Sequence, residues 1–410
     1  MKITKLSLAA VAAMALTTGA MAEVDMKIGG QTVVYYETHD GGATNDLFSK
    51  DSSAANAGIQ LNANSDIGNG FGLGIQATAL STWGLEDHVV SGVKQGGLGA
   101  QGDTANGSDY FNITKAYLTK QIGKTTLKAG RQELPKSLSP LAFSEGWNVF
   151  KNTFDAVVAI NSDIPDTTLV GAYVSRSNNN TGDTTVFNDM HSGGAGAVAP
   201  INNAFMLTVA NKSSKMVQPT VSYYALKDIG VGVAGLGESG SALWGDVKVD
   251  AGLPVGLSLQ GGTIMPENGL EDTTAYGVKV TGKAGPAALT LAYSSVDDGT
   301  VSMQNVGTGI KTPLYTQMVY NQAHIARDAD TVVLKGVLPA GPGKVIAQYG
   351  MTTDNANDNS DYSELDVMYK FKALGADMFA AYIMRDSDAK DLKGDDDQNN
   401  IVRVWTRYNF

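Results

Sequence analysis

The chain has 410 residues and a formal net charge of −11; glycine accounts for 48 of them, charged residues for only 17%, and cysteine is absent. Such a chain has no disulfide framework, thiolate nucleophile or Cys-based metal site, and it lacks the clustered cations that nucleic-acid binding needs. The length fits two or three soluble domains or one large barrel, and abundant glycine with few charges suits short strands and turns better than helices.

The first 22 residues read as a secretory leader. Lys2 and Lys5 supply the charge, Leu6 to Leu16 the short apolar core, and Ala20-Met21-Ala22 the small-residue cleavage site. The core is too short for a spanning helix, which needs ~20 apolar residues. The mature unit is therefore expected to be residues 23–410. Its longest charge-free apolar run is Ala156 to Ile160, so the exported chain is either soluble or a β-barrel.

From residue 59 onward the pattern alternates with period two. Ile59, Leu61, Ala63 and Ile67 share one face, and Gln60, Asn62, Asn64 and Asp66 the other. After Gly68-Asn69-Gly70, the residues Phe71, Leu73, Ile75, Ala77 and Ala79 repeat it. Tight turns are expected at 67–71, 121–125, 163–166, 212–215, 252–256, 283–286, 339–343 and 372–375, each rich in turn-forming residues. Between them lie longer polar segments at 39–55, 83–110, 133–152, 177–202, 227–241, 264–272, 296–328, 353–360 and 386–398. Eight turns and nine loops imply eighteen strands, with Ile229 to Leu236 read as loop. The short/long rhythm is that of outer-membrane barrels, with short periplasmic turns and long extracellular loops.

The last strands carry the same alternation. Leu365, Val367, Tyr369 and Phe371 oppose Asp366, Met368 and Lys370. Val402, Val404, Thr406, Tyr408 and Phe410 oppose Arg403, Trp405, Arg407 and Asn409. Alternation alone does not separate a barrel from a soluble sandwich. The leader, the connection rhythm and the terminal aromatic strand favour the barrel. Tyr408 and Phe410 have the form of an assembly signal read by periplasmic barrel-assembly machinery.

Residues 129–135 (AGRQELP), 141–148 (LAFSEGWN) and 152–156 (NTFDA), with the terminal Tyr-Asn-Phe, resemble epsilonproteobacterial outer-membrane porins of the OprD-like and Campylobacter major-outer-membrane-protein type. The detailed match is confined to about residues 127–174 and the final strand. The resemblance implies an eighteen-stranded closed antiparallel barrel, a homotrimer, and a third loop folded into the lumen. It does not carry over a substrate.

The candidate constriction is loop 133–152 with its flanks: Arg131, Glu133, Lys136, Phe143, Glu145, Trp147 and Asp155. Charges facing one another across such a narrowing set ion selectivity. By parity Lys115, Lys248, Lys279, Lys335, Lys370, Arg385 and Arg403 face the lumen, which is also where any barrel hides its cations, because lipid-facing ones cost ~2–4 kcal/mol. The acids Asp66, Asp155, Asp246, Asp250, Asp366 and Asp377 are expected to nearly balance them, giving weak selectivity of undetermined sign. Acidic loop tips (Asp354, Asp358 and Asp361; Asp388, Asp391 and Asp395 to Asp397) have the chemistry to hold divalent cations that bridge lipopolysaccharide, although a solvated acidic loop is the commoner explanation. No cofactor is expected.

The four histidines, His39, His88, His191 and His324, lie in expected loops without metal-binding or catalytic spacing. Gly230 to Gly235 fits a dinucleotide fingerprint, but no strand–helix context follows. The expected function is passive diffusion of ions and small hydrophilic solutes across the bacterial outer membrane, not catalysis. A surface adhesin or binding protein is the alternative. A barrel enzyme is a third reading, but it needs a His beside a Ser or Asp on the outer wall, and no strand offers that pair.

Overall fold

The computed structural model describes residues 26–41, 45–89, 110–146, 149–178, 188–191, 200–201, 203–229, 238–250, 252, 254–267, 269–356, 361–390 and 396–410. The strands in chain order are β1 (Met26–His39), β2 (Ser53–Gly68), β3 (Phe71–Ser81), β4 (Tyr110–Ile122), β5 (Thr125–Gln132), β6 (Phe154–Asn161) and β7 (Thr167–Ser177). Next come β8 (Asn188–His191), β9 (Pro200–Ile201), β10 (Asn203–Asn211), β11 (Val217–Ile229), β12 (Glu238–Val249), β13 (Gly256–Pro266) and β14 (Thr273–Ala284). The rest are β15 (Ala287–Val296), β16 (Ala329–Ala340), β17 (Gly343–Asp354), β18 (Tyr362–Ala373), β19 (Ala376–Lys390) and β20 (Asp396–Asn409). β8 and β9 form a small hairpin at the end of β7, while β7 itself pairs with β10. The other eighteen are antiparallel neighbours in chain order, and β1 pairs with β20 from Gln31↔Asn409 to His39↔Ile401. The sheet is thus a closed barrel of eighteen strands with no free edge.

Every expected tight turn falls between two strands. At 374–375 the turn has left-handed φ at both positions, Leu374 at 53° and Gly375 at 80°, which is the hairpin geometry matched to strand twist. At the seam, Phe410 and Gly30 exchange backbone hydrogen bonds of 2.8 and 3.0 Å. A Cβ at Gly30 would meet the Phe410 ring at 2.8 Å, so glycine there lets the terminal ring lie on the wall.

Outward side chains are large and apolar over most of the circumference: Leu207, Leu243, Leu291, Leu334, Val367 and Val404 are all exposed. This is the lipid-facing face expected of alternating strands. The inner face departs from simple polar lining. In the upper lumen Val158, Val170, Val174, Met206, Trp244 and Ile264 point inward and are buried with Leu134, Leu141, Met303, Val306 and Leu314. Two connections fold into the barrel and cover this apolar wall: 133–153 between β5 and β6, and 297–328 between β15 and β16. The second was expected to be extracellular. The apolar run Ala156 to Ile160 is explained by this packing, since Ala156 and Val158 meet the loops while Val157, 51% exposed, faces out.

Candidate functional site

The two inward loops are joined to each other by buried polar bonds. Asn305 Nδ2 donates to the Phe143 carbonyl at 2.7 Å and to Glu145 Oε1 at 2.9 Å. The Phe143 N–H returns to Asn305 Oδ1 at 3.2 Å, and the Val306 N–H donates to Leu141 O at 2.7 Å. Glu145 Oε1 also accepts the Lys311 N–H at 3.1 Å and the Thr308 hydroxyl. Glu145 is 1% exposed and Phe143 is buried. These two residues, expected to line the passage, instead form the loop–loop junction. Trp147 lies outside the described residues.

Lys311 closes the second loop on itself. Its ammonium donates to Met318 O at 3.0 Å, to Val319 O and to Gln322 Oε1 at 3.0 Å. Burial pushes it down to about 8, with Glu364 and Glu145 pulling the other way.

The barrel wall then holds that loop. Glu364 accepts the backbone N–H groups of Val319 and Tyr320 at 2.9 and 3.0 Å. Glu37 accepts the hydroxyls of Tyr35 (2.6 Å) and Tyr320, and pairs with Arg403, whose Nε donates at 2.8 Å. Glu37 and Glu364 are fully buried, and Arg403 is 4% exposed. Arg385 lies 5.2 Å over the Tyr320 ring. Glu37 and Glu364 were not singled out in the sequence. The usable signal was register, because Glu37 faces Arg403 across the closing seam.

A cavity of about 590 Å³ remains beside the loops. Its lining includes Lys136, Lys212, Lys248, Lys279, Asp246 and Tyr315. Tyr315 donates its hydroxyl to Asp246, and Lys279 Nζ lies 3.8 Å over its ring. Lys136 Nζ reaches Thr312 O at 3.0 Å, across from one loop to the other. A second charged group lies at the root of the first loop, where Glu133 bridges Lys115 (2.5 Å) and Lys151 (3.2 Å). Burial alone would raise the Glu133 carboxyl, but the two ammonium groups outweigh it and hold it below the usual range.

Lower down, Lys335 shares an inner cross-strand row with Gln348 and Asp366. Lys370 lies over Phe379 at 5.3 Å, and both line the inner wall near Trp405. Asp366 is fully buried, so it offers no charge to the lumen water.

Arg131 and Asp155 do not face the lumen. Cross-strand partners share a face, and the pairs run Ile28↔Ala63↔Ile75↔Ala116↔Arg131↔Asp155↔Arg176. Ile28 is 67% exposed on the outer wall, so the whole row is external. Arg131 Nε meets Asp155 Oδ1 at 2.9 Å and Arg176 meets Oδ2 at 2.9 Å. Of the acidic loop residues, Asp361 accepts the Asp354 N–H at 3.1 Å. Asp358, Asp391 and Asp395 lie outside the described residues, as do the side chains of Asp388, Asp396 and Asp397. Tyr408 and Phe410 are stacked on the outer wall at 6.3 Å.

A closed wall, greasy outside and wet within, narrowed by inward loops beside a lysine-lined space, is the construction of a diffusion channel, and residues 9–402 match the family described as Gram-negative porin. The chain belongs to that family. The porin is similar in fold to OccAB2 of Acinetobacter baumannii (TM-score 0.73, 14% identity, 94% of this chain and 98% of that one). It is also similar to OccAB3 of the same organism (0.72, 17%, 94% and 99%) and to OccD3 (OpdP) of Pseudomonas aeruginosa (0.70, 14%, 96% and 92%). No curated relative matches it. The porin resides in the outer membrane and lets ions and small hydrophilic solutes diffuse through its lumen.

Proposed function

We propose that this porin favours small hydrophilic anions over cations. The observation that carries the reading is the cavity beside the loops. Among its described lining residues, Lys136, Lys212, Lys248 and Lys279 face one acid, Asp246, which is already bonded to Tyr315. Two of the acids expected to balance the lysines do not do so: Asp155 is external and Asp366 is sealed from water. A cationic lining enclosed by low-dielectric walls raises the local anion concentration.

The test is the reversal potential of the purified porin in a planar bilayer under a KCl gradient. It should report chloride preference, and Lys136→Glu with Lys279→Glu should reverse the sign. Cation preference in the unaltered protein would refute the anion reading while leaving the channel function intact.

Four finer readings accompany this one. Residues 1–22 act as a cleaved leader, the Tyr408/Phe410 strand is the signal for barrel assembly, the outer wall contacts lipopolysaccharide, and the porin works as a homotrimer without enzymatic activity. The eighteen-stranded closed wall and the exposed terminal aromatics support them. Size measurement of the detergent-extracted porin by native electrophoresis tests the trimer.

A further inference from the structure

The lower wall carries a second group of lysines, apart from those beside the loops. One inward row crosses five adjacent strands: Pro339↔Lys344↔Lys370↔Phe379↔Trp405. Lys370 stands four residues above Leu374 in the β18–β19 turn. The row therefore lies ~10 Å above the periplasmic end of the wall. It opens on a cavity of about 730 Å³ that shares no lining residue with the cavity beside the loops.

Lys344 and Lys370 are directly opposed across β17 and β18. Such partners have Cβ atoms ~4.5–5.5 Å apart, and like charges in that position destabilise a sheet. Lys335, two inward positions above Pro339 on β16, is close enough for its ammonium to add to the same field. Nearby acids do not offset it. Asp377 also lines the cavity, but Lys372 holds it at 3.4 Å. Asp366, four residues up β18 from Lys370, is sealed from water and bonded to Gln348. Among the described residues the lysine ion pairs are those of Lys115, Lys151 and Lys372, so neither Lys344 nor Lys370 has one.

The aromatic pair in the row fixes cations without neutralising them. Phe379 and Trp405 stack at 5.2 Å and 18°. Lys370 Nζ lies 5.3 Å from the Phe379 ring, and the Arg407 guanidinium 5.4 Å from the Trp405 ring. The inner guanidiniums of β20 are already committed. Arg403 is bonded to Glu37, and Arg407 donates to Gln31 Oε1 at 2.5 Å and Val149 O at 2.8 Å. What faces the cavity is thus a pair of ammonium groups and no planar fork. A fork matches the two coplanar oxygens of a carboxylate, whereas lysines act as point charges with rotatable donors. Two of them suit a compact group with two charges and oxygens aimed in several directions. A phosphomonoester has that form at neutral pH, with close to two negative charges and three outward oxygens. Beside the lysines the lining is apolar, with Ala288, Val337, Pro339 and Pro342.

We infer that this cavity is a binding site for small phosphomonoesters. The phosphate sits between the Lys344 and Lys370 ammonium groups, and the carbon end lies against Ala288, Val337 and Pro339. The inference rests on the anion reading above and adds a solute class and a place near the periplasmic exit. Bound phosphate supplies the countercharge that the fold leaves out.

The test uses the purified full-length porin in a planar bilayer, in dilute KCl at neutral pH. Glycerol phosphate is added to each side in turn, and the fall in chloride current is measured. The block should saturate, and its half-blocking concentration should lie well below that of acetate and of dimethyl phosphate, which keeps the phosphorus group but has a single charge. Lys344→Gln with Lys370→Gln should raise the half-blocking concentration of glycerol phosphate roughly tenfold, the effect of removing two partly screened charges. Lys248→Gln, in the other cavity, should leave that concentration unchanged.

Equal block by glycerol phosphate and dimethyl phosphate would overturn the inference, and so would a block that the Lys344/Lys370 variant does not weaken. Either result, with chloride preference intact in the same membrane, spares the anion reading. Cation preference by reversal potential would overturn both.

Discussion

Two sets of charges share the lumen and have opposite fates. Glu37, Arg403, Glu145 and Glu364 are buried, multiply bonded, and hold the loops in place. Lys248 and Lys279 line open space and keep their charge available to solutes, and Lys136 lines the same space while its ammonium also ties the two loops through Thr312 O. The residue types are alike, and what separates them is whether partners or water satisfy the charge. A buried ion that loses its partner leaves an uncompensated charge, whereas a wet one loses little beyond its own field. Mutation should therefore divide the lumen into a structural set and a selective set.

The largest effect is expected at the seam. Arg403→Met strands Glu37 with the Tyr35 and Tyr320 hydroxyls and the Val89 N–H but no countercharge, and breaking such a buried pair costs ~3–5 kcal/mol. The temperature at which the folded band converts to the unfolded band on a gel should fall sharply. A shift equivalent to under ~1 kcal/mol would mean that water reaches the pair and that the division fails.

Glu145→Ala comes next. It removes the acceptor for Asn305, Thr308 and Lys311, and hydrogen bonds to a charged group are worth ~1.5–3 kcal/mol each. The two loops should separate, giving larger and noisier single-channel conductance with the barrel intact. Unchanged conductance would show that the apolar contacts alone hold the loops.

Lys248→Gln belongs to the other set. It should leave the melting behaviour unaltered and lower the anion-to-cation permeability ratio about twofold, a few tenths of a kcal/mol, the scale of one charge acting through water.

The smallest effect concerns His324, stacked on Tyr362 at 3.9 Å. Burial, with help from Arg385, lowers it to about 4. The folded state therefore binds fewer protons than the unfolded one between pH 6.5 and 4. Its contribution to holding the 297–328 loop is complete above pH 6.5 and is lost as pH falls toward 4. Thermal melts over that window should show a slope that His324→Gln reduces.

The strands were legible in the sequence because lipid imposes strict alternation on one face and glycine-rich turns break it at regular places. Parity from the pattern placed Lys248, Lys335 and Arg403 on the inner face, since Lys248 and Arg403 each sit between two valines and Lys335 follows Leu334, all facing lipid. It misplaced Asp155. In β6 both faces are apolar, one against lipid and one against the folded-in loops, so Ala156 to Ile160 gives no phase. Bulges add to the difficulty: Thr114 and Lys115 both turn inward, and the ladder slips by one between Arg176 and Val174. The inward course of 297–328 was hidden by its polar composition. Asn305, Lys311 and Gln322 look solvated, yet their partners are backbone groups and side chains brought near only by the fold.

The backbone exchange between Gly30 and Phe410 has a consequence for how the molecule comes into being. Its first and last strands are neighbours in the wall, and every ladder bond between them spans nearly the full chain. Until they pair, two bare edges stand open to any other polypeptide, a hazardous condition for a sheet this large. Closing the seam is what removes both edges at once, so the bonds that join residue 30 to residue 410 also protect the sheet from pairing with other chains.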